Sequence, residues 1–292
     1  MQAKIGDYQI SRLVESETPF LEPEVFIPDF TPDVLEANKD WLLPRYVDPA
    51  SGKIILAIQS YILRTGRHTI LVDACVGNDK PRPARPAFHM QKFSYLEDMA
   101  AAGVQPEAVD YVMCTHLHVD HVGWNTKLVD GRWVPTFPNA KYVFARTEYD
   151  FWEERGRTGE QGPVPNVYDD SVLPVVEAGQ SELVDMDYQF DHGLWFEPAP
   201  GHTPGNIVIN LESNGRKAVL SGDVMHHPLQ LVRPEWSSRA CEDRAMSAKT
   251  RRALIERYAD TDTLIAPAHF ASPSIGHIVS RGEAFAYRLS ED

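Results

Sequence analysis

The chain has 292 residues, enough for one large domain or two small ones around a sizeable core. Its composition is ordinary for a globular protein. The formal net charge of −14 argues against nonspecific binding to nucleic acid or an anionic membrane, so a small neutral or weakly charged substrate is the better fit. No apolar run is long enough to span a bilayer, and Met1–Asp7 lacks the apolar stretch of a secretory leader. Cys75, Cys114 and Cys241 are widely spaced and form neither a disulfide framework nor a C-x-x-C pair, so a reducing cytoplasm is the expected compartment.

Residues 1–50 read as irregular and proline-rich, with one short helix expected from Pro32 to Asn38 behind a Thr31 cap. They are expected to form an N-terminal arm packed on a catalytic domain of residues 51–292. Such an arm is also the one argument for a homodimer. Ile54–Leu63 and Thr69–Asp73 are predicted strands, joined as a hairpin across Arg64–Arg67. Pro81, Pro83 and Pro86 force residues 80–86 into a loop. Phe93, Leu96 and Ala100 recur at helical spacing before a stop at Gly103. Val109–Cys114 is a continuous apolar run, the pattern of a strand buried on both faces. Further strands are predicted at Lys141–Ala145, Leu194–Glu197, Asn206–Leu211, Lys217–Leu220 and Thr263–Ala266. Helices are predicted at Glu148–Glu154 and Ala248–Ala259, the second with Leu254, Ile255 and Tyr258 on one face. Each half runs strands and then a helix, which predicts two packed sheets with helices outside.

Directly after the Val109–Cys114 strand comes Thr115-His116-Leu117-His118-Val119-Asp120-His121. Imidazole and carboxylate are preferred ligands of Zn²⁺ and similar ions. In an extended stretch His116 and His118 point the same way, Asp120 continues that phase and His121 breaks it. A tight turn here would aim the first pair at one ion and the second pair at a neighbouring one. The bland alternative is a His-rich surface loop. Three other strand ends argue against it, because each ends in a ligand type: Gly201-His202-Thr203-Pro204-Gly205, Leu220-Ser221-Gly222-Asp223 and Ile265-Ala266-Pro267-Ala268-His269. Two glycines and a proline around His202 describe a tight, rigid loop.

The order H-x-H-x-D-H, G-H-T-P-G, S-G-D and P-x-H resembles the metallo-β-lactamase superfamily, from about Ile54 to Phe270. That resemblance implies an α/β fold, a four-layer αβ/βα sandwich of two mixed sheets flanked by helices. It also implies a dinuclear site, usually zinc, with Mn, Co or Fe as substitutes. Carried over position by position, His116, His118 and His202 would hold one metal, Asp120, His121 and His269 the second, and Asp223 would bridge them. Asp73, in Leu71-Val72-Asp73-Ala74, would orient a ligand imidazole. The implied reaction is hydrolysis by a hydroxide shared between two ions, with Asp120 orienting it and carrying a proton to the leaving group.

Trp124, after His121-Val122-Gly123, looks similar to the branch holding lactonases and methyl parathion hydrolase-like enzymes. A lactone or carboxylic ester is therefore the expected substrate class. An organophosphate triester is the alternative, ahead of a thioester hydrolase or an iron-dependent persulfide dioxygenase. Acyl-homoserine lactonases of this family place a Tyr three residues after the bridging Asp, where this chain has His226; His226 would donate to a substrate carbonyl in its place. Phe88, Trp124, Trp236 and Phe270 are candidates for an apolar substrate wall. Cys114 is expected to be a small buried hydrophobe and His227 to be structural or exposed. His68, His89, His192 and His277 lack partners for a ligand role.

Overall fold

The computed structural model describes residues 2–160 and 164–290. In chain order its first half contains β1 (Gln2–Ile5), β2 (Tyr8–Pro19), β3 (Ile55–Arg64), β4 (Thr69–Val72), β5 (Tyr111–Met113), β6 (Thr126–Val129), β7 (Arg132–Pro135), β8 (Lys141–Ala145) and β9 (Ser181–Val184). All except the separate β6–β7 hairpin form one sheet, ordered β1-β2-β3-β4-β5-β8-β9. The second half contains β10 (Gln189–Asp191), β11 (Leu194–Pro198), β12 (Ile207–Ser213), β13 (Arg216–Gly222), β14 (Leu264–Pro267), β15 (Gly276–Arg281) and β16 (Ala284–Leu289), paired in that order as a second sheet. Both sheets are mixed: β4, β5, β8 and β9 run parallel, as do β13 and β14, and the remaining pairs are antiparallel.

The alternation of side chains along each strand assigns them to three cores. Tyr61 and Leu63 of β3, Met113 of β5, Val143 of β8, Ile207, Ile209 and Leu211 of β12 and Leu220 of β13 fill the space between the sheets. The intervening residues face outward. Ile58, Ile62, Val112, Tyr142 and Phe144 meet Tyr95, Met99, Tyr149 and Trp152 from helices at Tyr95–Ala101 and Arg146–Thr158. Val208 and Val219 meet Leu254 and Ile255 of the Arg244–Tyr258 helix. The result is the expected four-layer sandwich. In that last helix Ser247, Arg251, Leu254 and Ile255 share the buried face. Arg251 is fully buried because its guanidinium donates to the carbonyls of Val224 (2.9 Å) and Pro234 (2.8 Å), which ties the helix to the segment after β13.

The predicted strands and helices of the middle of the chain are present, with ends shifted by a few residues. The expectation for residues 1–50 needs correction. Gln2–Ile5 and Tyr8–Pro19 are not irregular but form the outer strands of the first sheet, with Ile5, Ile10 and Leu13 buried. Their apolar residues are interrupted by Ser, Arg and Glu because β2 lies near the sheet edge. Only residues 20–54 fit the irregular reading, including a helix at Pro32–Glu36. No helix among the described residues is long and apolar enough to cross a membrane.

Candidate metal centre

Five strands deliver a functional side chain just beyond their C-terminal ends: β4 gives Asp73, β5 the His116–His121 segment, β11 His202, β13 Asp223 and β14 His269. Strand C-termini collect there because β4 runs parallel to β5 and β13 parallel to β14, so the ends of both sheets open on one edge of the sandwich. The seven predicted ligands converge in two groups. His116, His118, His202 and Asp223 present donor atoms within 4.8 Å of one another, and so do Asp120, His121 and His269. Asp223 stands between the groups. Its Oδ2 lies 3.1 Å from His202 Nε2 and 3.7 Å from His116 Nε2, while its Oδ1 lies 3.3 Å from His121 Nε2 and 3.0 Å from His269 Nε2.

The local backbone explains the convergence. Asp223 follows Gly222, whose φ of +48° is strained for residues with a side chain; an added Cβ would sit 2.7 Å from Thr115 Oγ1. The S-G-D turn therefore presses against the residue that opens the His cluster. Val119 to Val122 form one short helical turn capped by His118, and it carries Asp120 and His121 into the second donor group while the His121 ring stays 4.0 Å from that of His116.

The outer nitrogens of the imidazoles are held, which fixes their tautomers. Asp73 accepts from His121 Nδ1 (2.9 Å) and from the Thr115 amide (2.8 Å). The Thr115 hydroxyl also donates to Asp73, so its lone pair faces His116 Nδ1 at 3.1 Å. His269 Nδ1 donates to the Ala57 carbonyl (2.8 Å), and His202 Nδ1 lies 3.4 Å from Cys241 Sγ. Each of these rings thus turns its Nε2 inward; burial opposes protonation there, but Asp223 holds His121 and His269 above the usual histidine range and His202 up to about 10. His202 Nε2 then faces His116 Nε2 at 3.1 Å and His118 Nδ1 at 2.8 Å, nitrogen against nitrogen. His121 Nε2 and Asp223 Oδ1 are buried without a hydrogen-bond partner. Converging ring nitrogens and buried polar atoms left without a hydrogen bond suit divalent cations, and the N/O donor set is the one zinc takes. Burial, with neighbouring imidazoles adding to it, pushes His116 and His118 well below the usual histidine range and keeps them neutral, as ligands must be.

Asp73 thus stands where it was expected, against a ligand-type imidazole. His226 lies inside the cluster, its Nε2 3.2 Å from Asp223 Oδ2 and 3.4 Å from Ser238 Oγ, and its ring stacks on His269. Two expected substrate-wall residues are corrected. Trp124 is 4% exposed, stacks on Tyr95 and donates Nε1 to Glu15 (2.7 Å); Phe270 is fully buried against Tyr46 and Tyr287. Both are core residues, since the strand ends they follow already lie inside the sandwich. Phe88 and Trp236 are likewise buried, against Phe20 and Phe30. His227 is buried and donates to the Tyr46 carbonyl, and Cys114 is buried as expected.

Sequence reading missed Glu148 as a site residue and saw it only as part of a helix. Its buried carboxylate accepts from the Leu117 amide (2.9 Å), the Gly205 amide (3.0 Å) and Trp152 Nε1 (2.7 Å). It therefore staples the His116–His118 loop to the Gly201–Gly205 loop. Only Trp152, one helical turn on, is near it in sequence; the Leu117 and Gly205 amides that make it a site residue come from distant segments, so no spacing rule could have found it. Trp152 also packs edge-on against His118, with ring centroids 5.4 Å apart.

The comparisons fit this geometry. An N-acyl homoserine lactonase from Bacillus cereus is 26% identical over 115 residues, which is 39% of this chain and 38% of that protein; the chain thus matches well under half the length of this curated relative. The solved structure of a hydrolase of the beta lactamase superfamily, AbOPH, is 26% identical and superimposes with a TM-score of 0.81 over 100% of this chain and 97% of that one. AidC, described as a dizinc quorum-quenching lactonase in complex with a product, shares the fold at 20% identity, with a TM-score of 0.78 over 100% of this chain and 97% of that one. The family model of the metallo-beta-lactamase superfamily matches residues 55–269, from the start of β3 to the last of the clustered histidines, and the chain belongs to that superfamily.

Proposed function

We propose that this protein is a metal-dependent hydrolase that opens a lactone or a carboxylic ester. The observation that carries the reading is Asp223, whose carboxylate stands 3.1 Å from His202 Nε2 of one donor group and 3.0 Å from His269 Nε2 of the other. His116, His118 and His202 would hold one divalent cation, Asp120, His121 and His269 a second, and Asp223 both, with zinc as the first candidate. Cations held there supply two things, a water acidic enough to ionise near pH 7 and a polarised carbonyl oxygen.

The chain's own residues do the rest. Asp73 and Thr115 hold the outer nitrogens of His121 and His116, which aims the inner ones at the cation sites. His226 donates Nε2–H to Asp223 and steadies that carboxylate rather than reaching outward. Asp120 is the least buried carboxylate of the cluster, with 17% of its side chain exposed, so it is the group that meets substrate and solvent. It accepts the proton released as water adds to the ester carbonyl and returns it to the alcohol oxygen as the C–O bond breaks. The surrounding burial keeps bulk water from competing. A small neutral substrate agrees with a net charge of −14.

A phosphotriester is the second reading. It is favoured over a strict acyl-homoserine lactone by His226, which replaces the Tyr of the family's lactonases and turns toward Asp223. The test is a panel of lactones of several ring sizes, aryl esters, phosphotriesters and a β-lactam, assayed with zinc, together with metal analysis. Lactone or ester turnover with about two zinc ions per chain is expected. Tightly bound iron alone, with activity requiring it, would overturn the reading.

A further inference from the structure

Glu15 is the odd residue of β2. The ladder to β3 pairs Val14 with Gln59 and Ser16 with Ile58, so Glu15 is the extra residue of a β-bulge and has no partner across the strand. Bulges re-aim a side chain that a regular strand would place elsewhere. Here the carboxylate meets three N–H donors. Oε2 accepts from the Val76 amide (3.0 Å), and Oε1 accepts from the Gly77 amide (3.0 Å) and Trp124 Nε1 (2.7 Å).

The donors belong to two different segments. Val76 and Gly77 close the loop that begins with Asp73, and Trp124 closes the turn that begins with Asp120 and His121. The two segments are zipped together by Ala74 N to His121 O, Gly123 N to Cys75 O and Trp124 N to Ala74 O, each 2.7 Å. They lie backbone on backbone: an added Cβ at Gly123 would collide with the Val76 carbonyl. That zipper holds Asp73 against His121, and Glu15 is the side chain that clamps its open end.

We propose that Glu15 is a positioning residue of the metal centre, which clamps the Asp73–Gly77 loop to the Asp120–Trp124 turn and so sets Asp120 and His121 relative to His116, His118 and His202. The inference rests on the metal-centre reading above. It also gives the first strands of the chain a part in the site. Burial pushes the Glu15 carboxyl up to about 7, opposed by its three donors, and the charge of Asp120 adds slightly to the rise.

The test compares wild type with Glu15→Gln and Glu15→Ala in the full chain. Gln keeps Oε1 for two donors but turns an amide N–H against the Val76 N–H; Ala removes all three acceptors. Three quantities are read: amide hydrogen exchange without metal, zinc affinity by chelator competition, and kcat and KM on the best ester of the panel. In Glu15→Gln, exchange at 74–77 and 121–124 should quicken about tenfold, while exchange in β11–β14 and the melting temperature stay near wild type. One of two zinc equivalents should weaken by about 10–100-fold, and kcat should fall with KM little changed. Glu15→Ala should exceed Glu15→Gln in each. If Glu15→Ala does not fold, Glu15→Gln alone decides. Wild-type exchange in both segments together with wild-type zinc affinity in Glu15→Gln would overturn the proposal. If wild type itself takes up no divalent metal, the metal-centre reading fails, and the exchange data still show whether Glu15 clamps the two segments.

Discussion

Asp73→Asn separates charge and hydrogen-bond chemistry from shape. Asp73 has φ +59°, a conformation that Asn tolerates and Ala does not, so the backbone should be preserved. The carboxylate accepts from His121 Nδ1 on one oxygen and from the Thr115 amide on the other, and it also receives the Thr115 hydroxyl that faces His116. An amide has one acceptor oxygen. If that oxygen stays with the Thr115 amide, the new NH₂ faces His121 Nδ1 and forces the opposite tautomer, with the proton on the inner Nε2. If it stays with His121, two N–H donors face each other at Thr115. The first arrangement avoids the buried clash, which costs about 1–3 kcal/mol, so the His121 tautomer should flip. A metal must then displace that proton, and affinity at the Asp120–His121–His269 group should drop about 10–100-fold, or about 1.4–3 kcal/mol. The His116 group should weaken less, since it loses only an oriented hydroxyl. Competition with a chromophoric chelator gives both affinities, and ¹⁵N spectra of labelled histidine give the tautomer. Unchanged affinity at both equivalents, with His121 still protonated on Nδ1, would refute the reasoning.

Asp223→Ala removes the carboxylate that, among the described residues, faces both donor groups; it should abolish measurable turnover and leave at most one zinc per chain by elemental analysis, and wild-type turnover would refute the shared role. Gly222→Ala should cost about 2 kcal/mol or more in urea unfolding, through the +48° φ and the 2.7 Å approach to Thr115 Oγ1; a midpoint equal to wild type would mean that Thr115 yields freely. His227 is buried, and burial holds its pKa down to about 4, with the Tyr46 carbonyl opposing the shift. Its folded value lies below the unfolded 6.5, so the neutral ring stabilises the fold fully above pH 6.5. That contribution, about 3 kcal/mol, is lost as the pH falls from 6.5 toward 4. His227→Gln keeps a donor for Tyr46 without the titration, so its stability should fall less over that range; an unchanged slope in urea titrations would count against this.

The donor residues were legible because each closes an apolar strand. A run such as Val109–Cys114 or Leu264–Pro267 announces itself by hydrophobicity, and a His or Asp directly after it sits at a defined place at the sheet edge. β2 was not legible. Its alternation is broken by Arg12, Glu15 and Glu17, and the bulge at Glu15 shifts the phase midway. Trp124 and Phe270 were read as substrate wall because they follow ligand residues closely. One-dimensional proximity does not say whether the chain turns back into the core, and here it does, toward Tyr95 and toward Tyr46.

By itself, then, the sequence pointed to two packed sheets with helices outside and to His and Asp residues closing several strands, since hydrophobic period and residue chemistry are local properties; the four-layer fold and the set of seven donors were what its resemblance to the metallo-β-lactamase superfamily implied. Only the tertiary structure decided which nitrogen each imidazole turns inward and that Glu15 and Glu148 hold the loops in place. Those facts depend on hydrogen bonds between segments up to 212 residues apart along the chain, whose partners are set by how the two sheets pack.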